Sequence, residues 1–403
     1  MSIIVQKYGG TSVGDIEKIK NIAKKVVETK RQGNKMVIVV SAMGKTTNQL
    51  VSMAHEITEN PSEREMDVLL STGEQITIAL LAMAIESLGE NVISLTGAQA
   101  GIITDSRHKK ARIEEINTER LNCELNNNKI VIVAGFQGVT KEGNISTLGR
   151  GGSDTSAVAL ACALKADMCE IYTDVPGVFT TDPRKVKTAK LMDEISYDEM
   201  LELAKLGAKV LHPRSVELAR KYNLVLYVKS TFEEGKGTKV TGVNKMEKVL
   251  VRGVTIDENI ARISVVDVPD HPGVAFNLFS HLAKNNIAID MIIQNLDHNG
   301  KNDISFTVST EDLISAKKIA NEFLESVNGN KVIVKEDVCK LSIVGTGITG
   351  SAEVASKLFE VLYKAGVNIE MISTSEIKIS CLIDKKLGLE ALNAVHEAFE
   401  LGL

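Results

Sequence analysis

The 403-residue chain has no block of basic residues and no basic helix, and its formal net charge is −5. A nucleic acid or other polyanion is therefore not an expected partner. No signal peptide is legible at the start, where MSIIVQKYGG reads as a strand with a polar interruption instead of a basic start and apolar core. No apolar run is long enough to cross a bilayer, the longest lying around Ile76–Ile85, so no membrane association is expected. The five cysteines (123, 162, 169, 339, 381) include no Cys-x-x-Cys pair, which argues against a zinc site and fits a reduced, cytoplasmic setting. What is present, 44% hydrophobic and 25% charged residues, describes a soluble globular chain of two or three domains.

Up to about residue 230, strand-like and helix-like patterns alternate. Apolar, β-branched runs occur at Ile3–Val5, Met36–Val40, Val92–Leu95, Ile130–Ala134, Cys169–Tyr172 and Leu224–Val228. Between them lie segments of 3.6-residue period, as in DIEKIKNIAKKVVETK. Apolar strands alternating with helices imply an α/β domain with a mainly parallel sheet covered by helices on both faces. Glycine and charge replace the periodicity at STFEEGKGTKVTG (230–242), which marks the edge of this domain.

Beyond that edge the chain repeats itself. LFSHLAKNNIAIDMI aligns with LFEVLYKAGVNIEMI at a spacing of 80 residues, each preceded by a strand and a turn and followed by another strand and helix. Two small α+β modules of βαββα order, each closed by one more strand, are expected. The second copy carries Gly345-x-Gly347-x-x-Gly350, the fingerprint of a dinucleotide-binding turn. The first copy has VPDHPG in the same place, so the module folds without the fingerprint, and too few residues follow Gly350 to complete a dinucleotide-binding domain. NAD is rejected on those grounds.

Three glycine-rich or turn-rich segments follow strands of the first domain. QKYGGTSVGDIEKI (6–19) places Lys7 beside Gly9 and Gly10, whose amides could face an anion at a helix start. STLGRGGSDTSA (146–157) flanks Arg150 with glycines ahead of Ser153 and Asp154, which could also cap the helix that follows. YTDVPGVFTTDPR (172–184) places Thr173, Asp174, Phe179 and Arg184 after a strand. Ligands collect at the carboxyl ends of parallel strands, so a shared cleft is expected. Gly44-Lys45-Thr46 resembles the end of a P-loop, but the first glycine would fall on Val39 and the phosphate cradle is lost.

Taken in order, KYGGTSVG, STGE (71–74), LGRGGSDTSA, YTDVPGVFTTDPR and LGAKVLHPRS (206–215) are motifs through which the chain resembles the aspartokinases of the amino-acid kinase superfamily, along essentially its whole length. The resemblance implies a catalytic domain over 1–240, a first ACT domain over 262–337 inserted into a second made of 246–261 plus 338–403, and VLVRGVTI (249–256) as a strand of the second. It implies transfer of the γ-phosphoryl of MgATP to the side-chain carboxylate of L-aspartate, the first step towards lysine, threonine and methionine. Lys7 and Lys209 would hold phosphates and, with Asp154, form the catalytic set; Gly9, Gly10, Thr173, Asp174, Phe179 and Arg184 would bind ATP. Thr47, Glu74, Arg150, Ser153 and Asp154 would bind aspartate, Glu74 at its ammonium and Arg150 at its α-carboxylate, while magnesium would be held mainly by ATP. Phe179 stands where some relatives have tyrosine.

The same resemblance implies feedback by lysine, threonine or both at the ACT domains. His271, Gly273, Val274, Ala275, Ile289 and Asp290 match positions around the effector pocket, with Asp290 suited to an ammonium group. A homodimer or a dimer of dimers is expected. Two competing readings are a sensor with a degenerate kinase domain and another carboxylate or carbamate kinase. The complete set Lys7, Glu74, Arg150, Asp154 and Lys209 argues against the first, and the paired ACT domains with LGAKVLHPRS against the second.

Overall fold

The computed structural model describes residues 2–208, 210–242, 251–296, 301–327, 329–348 and 351–403. They form two units, the first comprising Met1–Phe179, Leu191–Lys205 and Lys209–Met246, the second Thr180–Lys190, Leu206–Ala208 and Glu247–Leu403.

The first unit runs β1 (Ile3–Tyr8), α1 (Ile16–Arg31), β2 (Lys35–Val40), α2 (Thr46–Ile57), α3 (Glu63–Glu86), β3 (Val92–Leu95), β4 (Ile102–Thr104), β5 (Ile113–Ile116), α4 (Glu119–Asn126), β6 (Ile130–Ala134), β7 (Gln137–Thr140), β8 (Ile145–Thr147), α5 (Gly152–Ala163), β9 (Met168–Thr173), β10 (Glu194–Ser196), α6 (Tyr197–Lys205), α7 (Pro213–Tyr222), β11 (Leu226–Ser230) and β12 (Thr238–Thr241). Eight strands make one sheet in the order β10-β12-β11-β9-β1-β2-β6-β3, parallel from β11 to β3. The apolar runs become its buried centre: Val5 and all of β2 from Met36 to Val40 are fully buried. Helix α1 starts at Asp15, whose side chain accepts the Lys18 N–H, and turns Ile19, Ile22, Ala23, Val26 and Val27 onto the sheet. Truncating Ile22 to alanine there would cost roughly 2–5 kcal/mol.

Helix α3 spans 24 residues, longer than the Ile76–Ile85 run suggests, and by length and composition alone it could cross a bilayer. It is a core helix: Ile78, Leu81 and Ile85 pack in the same cluster as α1, and its buried face also carries Asp67 and Glu74. A second sheet, β5-β4-β7-β8, uses strands of three or four residues that the sequence reading does not anticipate.

The second unit contains β13 (Gly253–Asp257), β14 (Ile260–Pro269), α8 (Val274–Lys284), β15 (Ile292–Leu296), β16 (Lys301–Ser309), α9 (Leu313–Val327), β17 (Lys331–Lys335), β18 (Val338–Val344), α10 (Ala352–Lys364), β19 (Ile369–Ser375), β20 (Lys378–Asp384) and α11 (Gly388–Ala398). Two four-stranded antiparallel sheets form, β15-β16-β14-β17 and β19-β20-β18-β13. The sheets are equivalent strand for strand, with β13, from before the first module, standing where β17 stands in the other. Residues 249–250 of the VLVRGVTI run, and Gly350 of the glycine triplet, lie outside the described residues.

The repeat also brings equivalent charges together. Arg262 of β14 pairs with Glu370 of β19 at 2.9 Å, and Lys340 of β18 pairs with Asp290, the residue 80 positions before Glu370. Between these reciprocal pairs Met291 and Met371 share one cluster with Ile260, Val338 and Leu382.

Candidate active site

Parallel pairing lines up the carboxyl ends of β1, β2, β6, β9 and β11, and hydrogen bonds bind the residues that leave them. Ser41 N–H donates to Tyr8 O at 3.1 Å, Gly135 N–H to Val40 O at 3.0 Å and Thr231 N–H to Thr173 O at 2.9 Å. Tyr8 and Tyr172 stack with ring centroids 4.7 Å apart, locking β1 to β9 just below the loops.

Lys7 lies one residue before the end of β1, and its Nζ stands 2.6 Å from Asp154 Oδ1. Asp154 is in the first turn of α5, so the glycine-rich loop before α5 and the one after β1 face each other. Ser153 and Asp154 do not cap α5: the N-cap is Gly151, with φ +71° and no capping side chain. Glycine is required there because a Cβ would stand 2.2 Å from the His212 ring. Burial pushes His212 below the usual histidine range, and its Nδ1 accepts the Arg214 N–H at the start of α7.

The β1 loop also packs on the loop after β2, since a Cβ on Gly10 would stand 2.9 Å from Ala42 O, and Gly44 N–H donates to Gly10 O at 3.0 Å. Glu74 reaches this loop from α3 and accepts the Ala42 N–H on Oε1 at 3.0 Å. Its other oxygen, Oε2, has no hydrogen-bond partner among the described residues. Burial pushes the Glu74 carboxyl up to about 7, against the Ala42 N–H, which favours the carboxylate. A buried carboxyl with one unclaimed oxygen is an acceptor for a cationic ligand.

Lys7, Gly9, Gly10, Ser153, Asp154, Thr173 and Asp174 thus lie in or beside the loops at the carboxyl ends of the strands, and Glu74 reaches those loops from α3. Thr47 is half-buried in the first turn of α2, next to the loop that Glu74 holds. Arg150 is exposed on its turn. Phe179 bridges Leu191 at the margin of the first unit. Arg184 belongs to the second unit, where its guanidinium meets Asp182 through two bonds of 3.0 and 2.9 Å. Lys209 lies outside the described residues.

In the second unit, Gly273 is the N-cap of α8 with φ +101°, and His271 is exposed beside it. Val274 is buried in the module's core, and Ala275 and Ile289 pack against that core. The ammonium at Asp290 is the chain's own, from Lys340, whose side chain is only 4% exposed.

Sequence reasoning gave no role to His212, although it lies in a quoted motif, nor to Asp67. Asp67 carries no local signal, since its partners at 108, 109 and 147 are brought to it by long-range folding, whereas His212 caps α7 locally ahead of Pro213 and only its approach to Gly151 is long-range.

Comparison with known proteins agrees with this architecture. The amino acid kinase family pattern matches residues 2–230, and the ACT domain pattern matches residues 263–323 and 341–399. An aspartokinase of Geobacillus stearothermophilus is 52% identical over 402 residues, covering all of this chain and 98% of that protein. The crystal structure of E. coli aspartokinase III in complex with aspartate and ADP superposes with a TM-score of 0.84 at 26% identity, over 98% of this chain and 99% of that one. The same enzyme in complex with lysine and aspartate, in its T-state, gives 0.79 at 26% identity over the same shares. The chain belongs to the aspartokinases, with an amino-acid kinase domain followed by ACT domains.

Proposed function

We propose that the protein transfers the γ-phosphoryl group of MgATP to the side-chain carboxylate of L-aspartate, giving 4-phospho-L-aspartate and ADP. The observation that carries this reading is Glu74: a buried carboxyl on α3 with one oxygen unclaimed among the described residues, held against the loop after β2 that packs on the loop following Lys7. It suits the ammonium of an amino acid, and Arg150 on the glycine turn suits the α-carboxylate, leaving the side-chain carboxylate to react. Thr47, Ser153 and Asp154 complete that pocket.

The acceptor is already a nucleophile at neutral pH, so the step needs no general base. A carboxylate oxygen forms the new bond to the γ-phosphorus, and the bond to the bridging oxygen breaks with its electron pair leaving on ADP. The work of the chain is positioning and charge. Lys7 and Lys209 offset charge on the phosphates, with Asp154 orienting Lys7, while the amide of Gly10 faces the phosphate oxygens; the Gly9 N–H instead donates to Tyr172 O at 3.4 Å, so Gly9 serves by leaving room for close approach. Thr173, Asp174 and Phe179 hold the nucleotide. Magnesium on the ATP phosphates supplies further charge neutralisation.

In this reading residues 1–240 are the catalytic domain, 262–337 the first ACT domain, and 246–261 plus 338–403 the second. The product opens a route to lysine, threonine and methionine in the cytoplasm, and lysine or threonine feeds back at the first ACT domain around His271, Gly273, Val274, Ala275, Ile289 and Asp290. The complex of a relative with lysine supports that regulation. A homodimer or dimer of dimers is the assembly. The test is ADP formation by purified protein with aspartate and MgATP, with and without lysine, threonine and both. Aspartate-dependent ADP release, suppressed by an added amino acid, is expected. No release under any of these conditions would overturn the reading.

A further inference from the structure

No hydrogen bond or ion pair among the described residues holds the Arg150 guanidinium, so its position depends on the backbone of its turn. That backbone is held from outside the proposed substrate pocket. Asp67 is fully buried on α3, and its carboxylate accepts from Thr147 Oγ1 at 2.5 Å, from Lys109 N–H at 3.1 and 3.2 Å and from His108 Nδ1 at 2.7 Å.

The groups that Asp67 grips flank the turn on both sides. Thr147 ends β8, three residues before Arg150. Lys109 presents its carbonyl to Gly149, so closely that a Cβ there would stand 2.6 Å away, and Gly149 has φ +75°. Ala111 N–H returns to Thr147 O at 2.9 Å, and the Arg214 guanidinium ties Leu148 O and Ala111 O at 2.7 and 3.0 Å. Asp67 and Glu74 are seven residues apart, close to two helical turns, and both lie on the buried side of α3.

We infer that Asp67 is a positioning residue of the aspartate site, setting through Thr147 and Lys109 where Arg150 stands relative to Glu74. One rigid helix then carries both the acceptor for the ammonium and the anchor for the reader of the carboxylate. The inference rests on the proposed role of Arg150. A displacement of about 1 Å in a positioning group can cost about 100-fold.

The experiment is steady-state kinetics on the full chain, varying aspartate and MgATP separately. Asp67→Asn keeps the shape but turns an acceptor into a donor, and is expected to raise the aspartate KM about 10- to 100-fold, with the MgATP KM within about twofold. Thr147→Val removes one donor and is expected to raise the aspartate KM by about threefold to tenfold. Arg150→Ala is the reference. If it leaves the aspartate KM unchanged, the reading of Arg150 fails and the inference with it. If it raises that KM while Thr147→Val and Asp67→Asn do not, Asp67 has no positioning role. In the Arg150→Ala background, Asp67→Asn is expected to add little, and full additivity would overturn the inference. Should Asp67→Asn fail to fold, Thr147→Val alone and in that background decides.

Discussion

The two arms proposed to hold aspartate are built in opposite ways. Glu74 comes from the middle of a 24-residue helix and is fixed through its side chain, which accepts the Ala42 N–H. Arg150 comes from a turn with Gly149 and Gly151 at positive φ, and among the described residues it is held through its backbone alone. One arm is a buried carboxyl held through its side chain; the other is an exposed guanidinium on a rigid mount. Damage to the first is therefore a matter of chemistry, and damage to the second a matter of shape.

Lys7→Ala serves as the measure for both arms, because it should strike the phosphoryl transfer and leave aspartate binding nearly intact. A fall in kcat of about 100- to 1,000-fold is expected, with the aspartate KM within about threefold. An equal loss in kcat and rise in KM would mean that Lys7 belongs to the substrate pocket as well. Gly151→Ala should come next. It drives a Cβ towards the His212 ring and forces a left-handed residue, so the aspartate KM should rise about 100-fold with a clear drop in Tm. Wild-type kinetics in this variant would show that the mount yields, and the contrast between the arms would collapse.

Glu74→Gln should raise the aspartate KM about 10- to 30-fold without a comparable loss of stability. It should also abolish a pH dependence. Free of ligand, Glu74 titrates near pH 7, so it is largely protonated below that pH. An ammonium partner favours the ionised form, so aspartate affinity should climb as pH rises to about 7 and then level off, with a proton released on binding below that point. Calorimetry in two buffers of different ionisation enthalpy measures that proton, and its persistence in Glu74→Gln would assign it elsewhere. The smallest effect belongs to the second unit. Asp290→Asn leaves the nearly buried Lys340 ammonium without its counter-ion, which should cost about 1–2 kcal/mol in denaturant unfolding, since Asp290 itself is 41% exposed. No change in stability would show that the Lys340–Asp290 pair is dispensable.

The long apolar strands, α1 and the repeat were legible because each rests on a period that survives in local sequence. Strands β4, β5, β7 and β8, of three or four residues, are too short to show a period of two. Which loops meet was legible only as far as strand ends imply it. That Asp154 reaches Lys7, and that Glu74 is buried with one oxygen unclaimed, depends on packing between elements distant in sequence. Arg184 shows the same limit: its motif reads as one continuous loop, yet contacts divide it after Phe179 and place Thr180–Lys190 in the second unit. Lys340 reads as an ordinary strand lysine until the repeat folds and sets it against Asp290.

The most direct test of the account is ADP formation from MgATP with L-aspartate, succinate and β-alanine as acceptors. Succinate lacks the ammonium that Glu74 would hold, and β-alanine lacks the α-carboxylate that Arg150 would hold. Aspartate should be preferred over both by at least about 100-fold in kcat/KM, with Glu74→Gln narrowing the gap to succinate alone and Arg150→Ala the gap to β-alanine alone. Succinate or β-alanine phosphorylated as readily as aspartate by the wild-type protein would contradict it.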